Sequence, residues 1–139
     1  MVAEPGSAVL GEIALDVPSS SESLSLVRSV VRRVVDFDTF DEQSGFLVAV
    51  GEVFTNAVAA QRRAPVREPI RVVISLGVDR CIRIEDQGNG FPGVGDEPMA
   101  PPEPVAMGRG LLIARAFVPD LTIVSSTAGT SVALPIRSS

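Results

Sequence analysis

From about residue 41 to Arg62 the chain carries one long amphipathic run. Phe46, Leu47, Val50, Val53, Phe54, Ala57 and Val58 supply its apolar side, and Ala64-Pro65 stops it. A helix so long and so apolar on one side must be buried against another layer, which limits the folds available. Ahead of it, residues 11–18 alternate as a short strand ending at Pro18, and SSSES at 19–23 offers serine caps with Glu22 in the first turn. Leu24, Val27, Val30, Val31 and Val34 then recur at helical spacing, and Asp36–Asp41 is a polar break. Beyond Pro65, the β-branched runs 70–78 and 80–85 predict a hairpin turning at Gly77-Val78-Asp79. Residues 92–107, with Pro92, Pro98, Pro101, Pro102 and Pro104, predict a loop. A helix over 110–117 and strands over 121–126 and 131–136 complete the chain.

Strands and helices in this order are too segregated for a doubly wound parallel sheet. The expected fold is an α/β (α+β) two-layer sandwich, a mixed and mostly antiparallel sheet with helices on one face. One domain accounts for residues 1–139, and no internal repeat is visible.

Composition excludes several chemistries. At 139 residues and 45 % apolar content the chain can build a core. Having no histidine, it lacks a Ser-His-Asp triad, a histidine metal site and a phospho-accepting histidine. All 12 positive charges are arginines, so a P-loop lysine is absent as well. The single cysteine, Cys81, forms no internal disulfide, and its neighbours Ile82 and Ile84 suggest a buried core thiol. A net charge of −5 argues against direct nucleic-acid binding. No apolar run is long enough to span a membrane, and the first 18 residues hold Glu4 and no base, unlike a secretory signal. The expected location is cytoplasmic.

Four short motifs carry chemistry. In GEVFTNAVAA (51–60), Glu52 and Asn56 stand one turn apart on one helix face. That pair is either a polar helix edge or a site, since an amide oxygen suits Mg²⁺ and a carboxylate can accept a proton. In EDQGNGF (85–91), Asp86 ends a strand, and Gly88 and Gly90 permit a turn or the approach of a flat base. A buried carboxylate there would accept from the exocyclic amine of adenine, where guanine presents an acceptor instead. In MGRGLLIARAF (107–117), Gly108 and Gly110 ahead of an apolar helix would leave N–H groups free for an anion beside Arg109. Gly129-Thr130 opens the last strand after a hairpin turn.

E-x-x-x-N, D-x-G-x-G, G-x-G and G-T, in this order and in these settings, resemble the GHKL ATPases, the ATP-binding domains of histidine kinases and gyrase. With a strand and a helix ahead of the asparagine motif, the chain most resembles bacterial anti-sigma factor serine/threonine kinases of the RsbW/SpoIIAB type, across about residues 11–136. The resemblance implies a Bergerat fold, usually a homodimer, with ATP and Mg²⁺ as cofactors. It implies that Asn56 holds Mg²⁺ and Glu52 acts as base toward the acceptor hydroxyl. Asp86 would read the adenine amine with support from Thr130, Gly88 and Gly90 would admit the base, and Gly108, Arg109 and Gly110 would lie along the phosphates. Residues 92–107 would be the ATP lid. Its implied partners are a sigma factor, which it sequesters, and an anti-anti-sigma protein of the STAS fold, which it phosphorylates. For the catalytic arginine of the first helix, Arg28 and Arg32 are candidates one turn apart.

The chain departs from that pattern in two ways. Ala60 stands where the family often has histidine, and the lid carries Asp96, Glu97 and Glu103 with no base. The alternative is therefore a non-catalytic anti-sigma module with a degenerate pocket, and a third possibility is one domain of a larger regulator.

Overall fold

Alternating side chains give each strand of the sheet one row toward the helices and one row away from them. The computed structural model describes residues 11–88 and 104–137. Its strands are β1 (Glu12–Val17), β2 (Ile70–Ser75), β3 (Cys81–Asp86), β4 (Thr122–Ser126) and β5 (Gly129–Pro135), in spatial order β1-β2-β3-β5-β4. The sheet was expected to be mixed and mostly antiparallel; every pairing among the described residues is antiparallel.

The inner row runs across the strands in register. Leu15 faces Val72, Val72 faces Ile84, Ile84 faces Val132, and Val132 faces Ile123. Val72, Ile84, Val132 and Ile123 are buried. Three helices contribute to the same core: α1 (Leu24–Val34) through Val27 and Val31, α2 (Phe40–Arg63) through residues including Val50 and Phe54, and α3 (Pro104–Phe117) through Leu111 and Ala114.

Local chemistry starts the helices where they start. Ser20 caps a 3₁₀ turn over Ser21–Ser23 that leads into α1. Thr39 caps α2, its Oγ1 accepting from the Glu42 N–H at 3.0 Å, with Asp41 and Glu42 placed favourably at the positive end of the helix dipole. Helices α2 and α3 pack antiparallel, as two glycine contacts show. A Cβ on Gly45 would lie 2.8 Å from Phe117 Cδ1, and one on Gly110 would lie 3.0 Å from Glu52 Oε1.

Two sequence expectations need correction. Helix α3 begins at Pro104, not Gly110, so residues 104–107 of the expected lid are helical. Proline fits a first helical turn because the N–H it lacks has no intrahelical partner there. The remainder of the lid expectation, 92–103, lies outside the described residues, as does Gly90. Cys81 is half-buried, not a core thiol. Ile82 and Ile84 take the inner row of β3, so strand alternation turns Cys81 outward with Arg83 and Glu85.

Candidate functional site

At the end of the sheet the inner row changes from apolar to polar. Asp86 is paired with Thr130, and Thr130 with Ser125, so three strands place three polar side chains in a line on the core face. All three are buried. The hydroxyls of Ser125 and Thr130 lie 3.0 Å apart. The Asp86 Oδ1 accepts the Gly88 N–H at 2.8 Å, and the Thr130 backbone N–H also bonds to the Asp86 carboxylate.

Burial pushes the Asp86 carboxyl above its ordinary value, and it outweighs the two backbone donors and the charge of Arg63, which act the other way. The strand end therefore holds an acceptor that is poorly hydrated and fixed in direction. Such a group discriminates strongly between a ligand edge that donates and one that accepts.

Glycine is required at two places around this carboxylate. Gly129 has φ +145°, and a Cβ there would run into the Asp86 carbonyl. At Gly88, a Cβ would lie 2.9 Å from the Ala60 carbonyl oxygen and 3.0 Å from the Ala60 Cβ. The turn after β3 thus rests directly on the backbone of α2.

Glu52 and Asn56 are half-buried on α2, about two turns and one turn ahead of Ala60 respectively. Among the described residues neither side chain is engaged in a hydrogen bond or ion pair. Gly110 stands against Glu52, so α3 borders the same edge. The Arg28 guanidinium lies over Gly51, next to Glu52 in the chain. Arg32 is exposed on the following turn of α1. Of the two candidates, Arg28 is the one packed over α2 at Gly51, and among the described residues no ion pair joins it to Glu52.

Gly108, Arg109 and Gly110 were expected to precede a helix with free N–H groups. They lie within α3 instead, so their N–H groups fall inside its hydrogen-bonded ladder. Arg109 is exposed. A separate groove of about 210 Å³, lined by Phe37, Phe46 and Phe117 among others, lies at the opposite end of α2 and takes no part in the site.

Sequence reasoning missed Gln61, Ser125 and Arg63. Gln61 is wholly buried and holds the turn after Asp86 through the Gln87 N–H. In sequence it reads as one more polar residue near a helix end, and only the fold brings it beneath β3. Ser125 could have been found from β4 alternation, which puts it in the inner row with Ile123. Arg63 continues the Glu52–Asn56 face at i+7 from Asn56.

Residues 17–136 match the histidine kinase-like ATPase domain family. The chain belongs to that family. Membership implies an ATP-binding role for the domain. No curated protein sequence matches this ATPase domain. Among solved structures, it is similar to the RsbU and RsbW domains of Rv1364c from Mycobacterium tuberculosis, with TM-score 0.61 and 16 % identity, over 91 % of this chain and 32 % of that one. The ATPase domain therefore spans about a third of that structure. It is also similar to the histidine kinase domain of a blue-light activated kinase from Erythrobacter litoralis, with TM-score 0.51 and 22 % identity, over 96 % of this chain and 70 % of that one. Both likenesses are of fold. No described helix is long and apolar enough to cross a membrane.

Proposed function

We propose that this ATPase domain is an ATP-dependent anti-sigma factor and protein serine/threonine kinase, which sequesters a sigma factor and phosphorylates a STAS-type anti-anti-sigma protein. The observation that carries the kinase assignment is the edge of α2. Glu52 and Asn56 share one face, unengaged by described residues, with Gly110 of α3 against the carboxylate. The similarity of fold to a structure containing an RsbW domain supports the partner-switching context.

The donor set suits Mg²⁺ bound mainly by nucleotide oxygens. No cluster of three or more His, Cys, Asp or Glu exists among the described residues, so a protein cage for the ion is absent there. Asn56 offers one neutral oxygen, which fits an ion that keeps water and phosphate ligands. When bound, Mg²⁺ would neutralise charge on the β- and γ-phosphates. Asp86 would accept the adenine amine, with Thr130 held beside it by Ser125, and Gly88 would let the base approach the turn. Glu52 would take the proton of a partner serine or threonine hydroxyl. That oxygen then bonds to the γ-phosphorus as the bond to the bridging oxygen of ADP breaks, and ADP leaves with the electron pair. Gly108, Arg109 and Gly110 would flank the phosphates from α3.

The test is transfer from radiolabelled Mg-ATP to STAS proteins encoded beside this chain. Glu52→Gln should abolish labelling and keep nucleotide binding, and Asn56→Ala should weaken Mg-nucleotide binding itself. With ATP demonstrably bound, no transfer to any such partner refutes the kinase.

A second function is favoured by Ala60 and by the absence of any base in residues 92–107. There the domain would bind its sigma factor without using ATP. Tight Mg-ADP binding by the wild type, lost in Asp86→Ala, contradicts it. Homodimerisation is proposed with either function, and sedimentation equilibrium measures it.

A further inference from the structure

We infer that Gln61 is a positioning residue of the nucleotide pocket, one that clamps the Asp86–Gly88 turn to α2 and ties it to the 64–69 loop. The ligand rests on the ATP-binding assignment above; the clamp itself rests on geometry. Gln61 is fully buried, and its amide is used at both ends. Nε2 donates to the Glu68 carbonyl at 2.7 Å, and Oε1 accepts from the Gln87 N–H at 2.9 Å. The Gln61 backbone carbonyl also accepts from the Val66 N–H at 2.9 Å, closing the loop onto the end of α2.

Three successive residues of the turn are thereby fixed by three different means. Asp86 is held by the Gly88 and Thr130 N–H groups, Gln87 by the Gln61 amide, and Gly88 by contact with Ala60. Of these, only the Gln61 bond leads away from the site. Arg67, Glu68 and Pro69 are exposed, so a displacement of this loop pulls on the Glu68 carbonyl and, through one rigid amide, on Gln87. Nucleotide affinity and base selectivity are then coupled to whatever contacts the loop.

At a pH where a buried carboxyl is ionised, which the comparison requires, only an amide can make both bonds. A glutamate keeps the acceptor and loses the donor, and a methionine of similar length loses both. Wild type, Gln61→Met and Gln61→Glu are compared by calorimetry with Mg-ADP and Mg-GDP and by ¹⁵N-resolved amide exchange. Gln61→Met should speed exchange at Gln87 by about tenfold, weaken Mg-ADP by about tenfold and erode the preference for ADP over GDP. Gln61→Glu should keep the Gln87 amide protected while amides of residues 64–69 exchange faster, and ADP affinity should fall between the other two.

A folded Gln61→Met with wild-type Gln87 protection overturns the clamp. A loosened Gln87 with unchanged ADP/GDP preference overturns its part in the pocket. Should Gln61→Met not fold, Gln61→Glu decides: loss of Gln87 protection with an unaltered 64–69 loop refutes the proposal. A wild type that binds no Mg-ADP refutes the ATP assignment and the ligand half of this proposal with it, and exchange alone then judges the clamp.

Discussion

Gly88→Ala isolates the contact between the β3 turn and the asparagine helix. The added Cβ would sit 2.9 Å from the Ala60 oxygen, 3.0 Å from its carbonyl carbon and 3.0 Å from its Cβ. Carbon contacts are comfortable at about 3.5–4.0 Å, so a relief of roughly half an ångström or more is needed. Two of the three opposing atoms are backbone in the last turn of α2, where the Ala60 carbonyl is held by the capping Ala64 N–H and cannot yield cheaply, so the turn must retreat. That retreat stretches the 2.8 Å bond from the Gly88 N–H to Asp86. Overpacking of this kind costs about 1–3 kcal/mol. With an m-value near 2 kcal/mol/M, the urea midpoint should fall by on the order of 1 M. If Asp86 holds the base as proposed, Mg-ADP affinity should fall by about tenfold or more, because the Asp86 acceptor and the glycine turn move together. Paired with Ala60→Gly, the substitution should be rescued only partly, since that change removes one of the three clashing atoms and leaves the peptide group. Urea unfolding and calorimetry on the four proteins of this cycle measure both effects. Wild-type midpoint and affinity in Gly88→Ala would refute the close approach, and full rescue by Ala60→Gly would place the clash in the Cβ alone.

Other substitutions probe separate parts of the molecule. Asp86 has a raised pKa in the fold, chiefly from burial, so folding holds its proton more tightly than the unfolded chain does. Its contribution to stability is present in full below the unfolded value of about 3.9 and is lost as pH rises through the higher folded value. Asp86→Asn should therefore flatten that part of the stability–pH curve, and an unchanged curve counts against burial as the cause. Phe54→Ala empties a wholly buried site and should cost about 3–5 kcal/mol by urea unfolding, with the urea slope unchanged. Gly129→Ala forces both a disfavoured φ and a clash with the Asp86 carbonyl, and should reduce nucleotide affinity as well as stability in the same two assays. Cys81, half-buried on the outer row, should react with a small maleimide in the native protein, and complete resistance would return it to the core.

Much of the fold was legible because period and punctuation agreed. The expected β3 over 80–85 and the observed Cys81–Asp86 differ by one residue at each end, and α2 was expected to stop at Arg62 and stops at Arg63. What misled was a cue of composition applied without geometry. Five prolines suggested a loop through residue 107, yet Pro104 begins α3. Isoleucine neighbours suggested a core cysteine, yet neighbours at i+1 and i+3 on a strand point to the opposite face. The helix pair Glu52 and Asn56 could be picked out by its i, i+4 spacing on an apolar helix, and Asp86 by its place at a strand end ahead of two glycines. Gln61 could not, since its partners are Glu68 and Gln87, one in a loop and one beyond β3, and nothing local announces either. Ser125 was within reach of strand period, but its meaning depends on β4 lying beside β5.

The polar line of Asp86, Thr130 and Ser125 is drawn by register, and register in a sheet is all-or-none. Sliding β3 by one residue against β5 would turn Asp86 to the outer face and present Glu85 or Gln87 to a core that has no place for them. The acceptor thus exists only in a correctly aligned sheet built from strands more than forty residues apart in the chain at its extremes. A ligand bound through Asp86 would stabilise that alignment and no slipped one, by mass action on the native state alone. Nucleotide would then act as an inspector of strand alignment, drawing the population toward molecules whose sheets have closed in step and leaving slipped ones unbound.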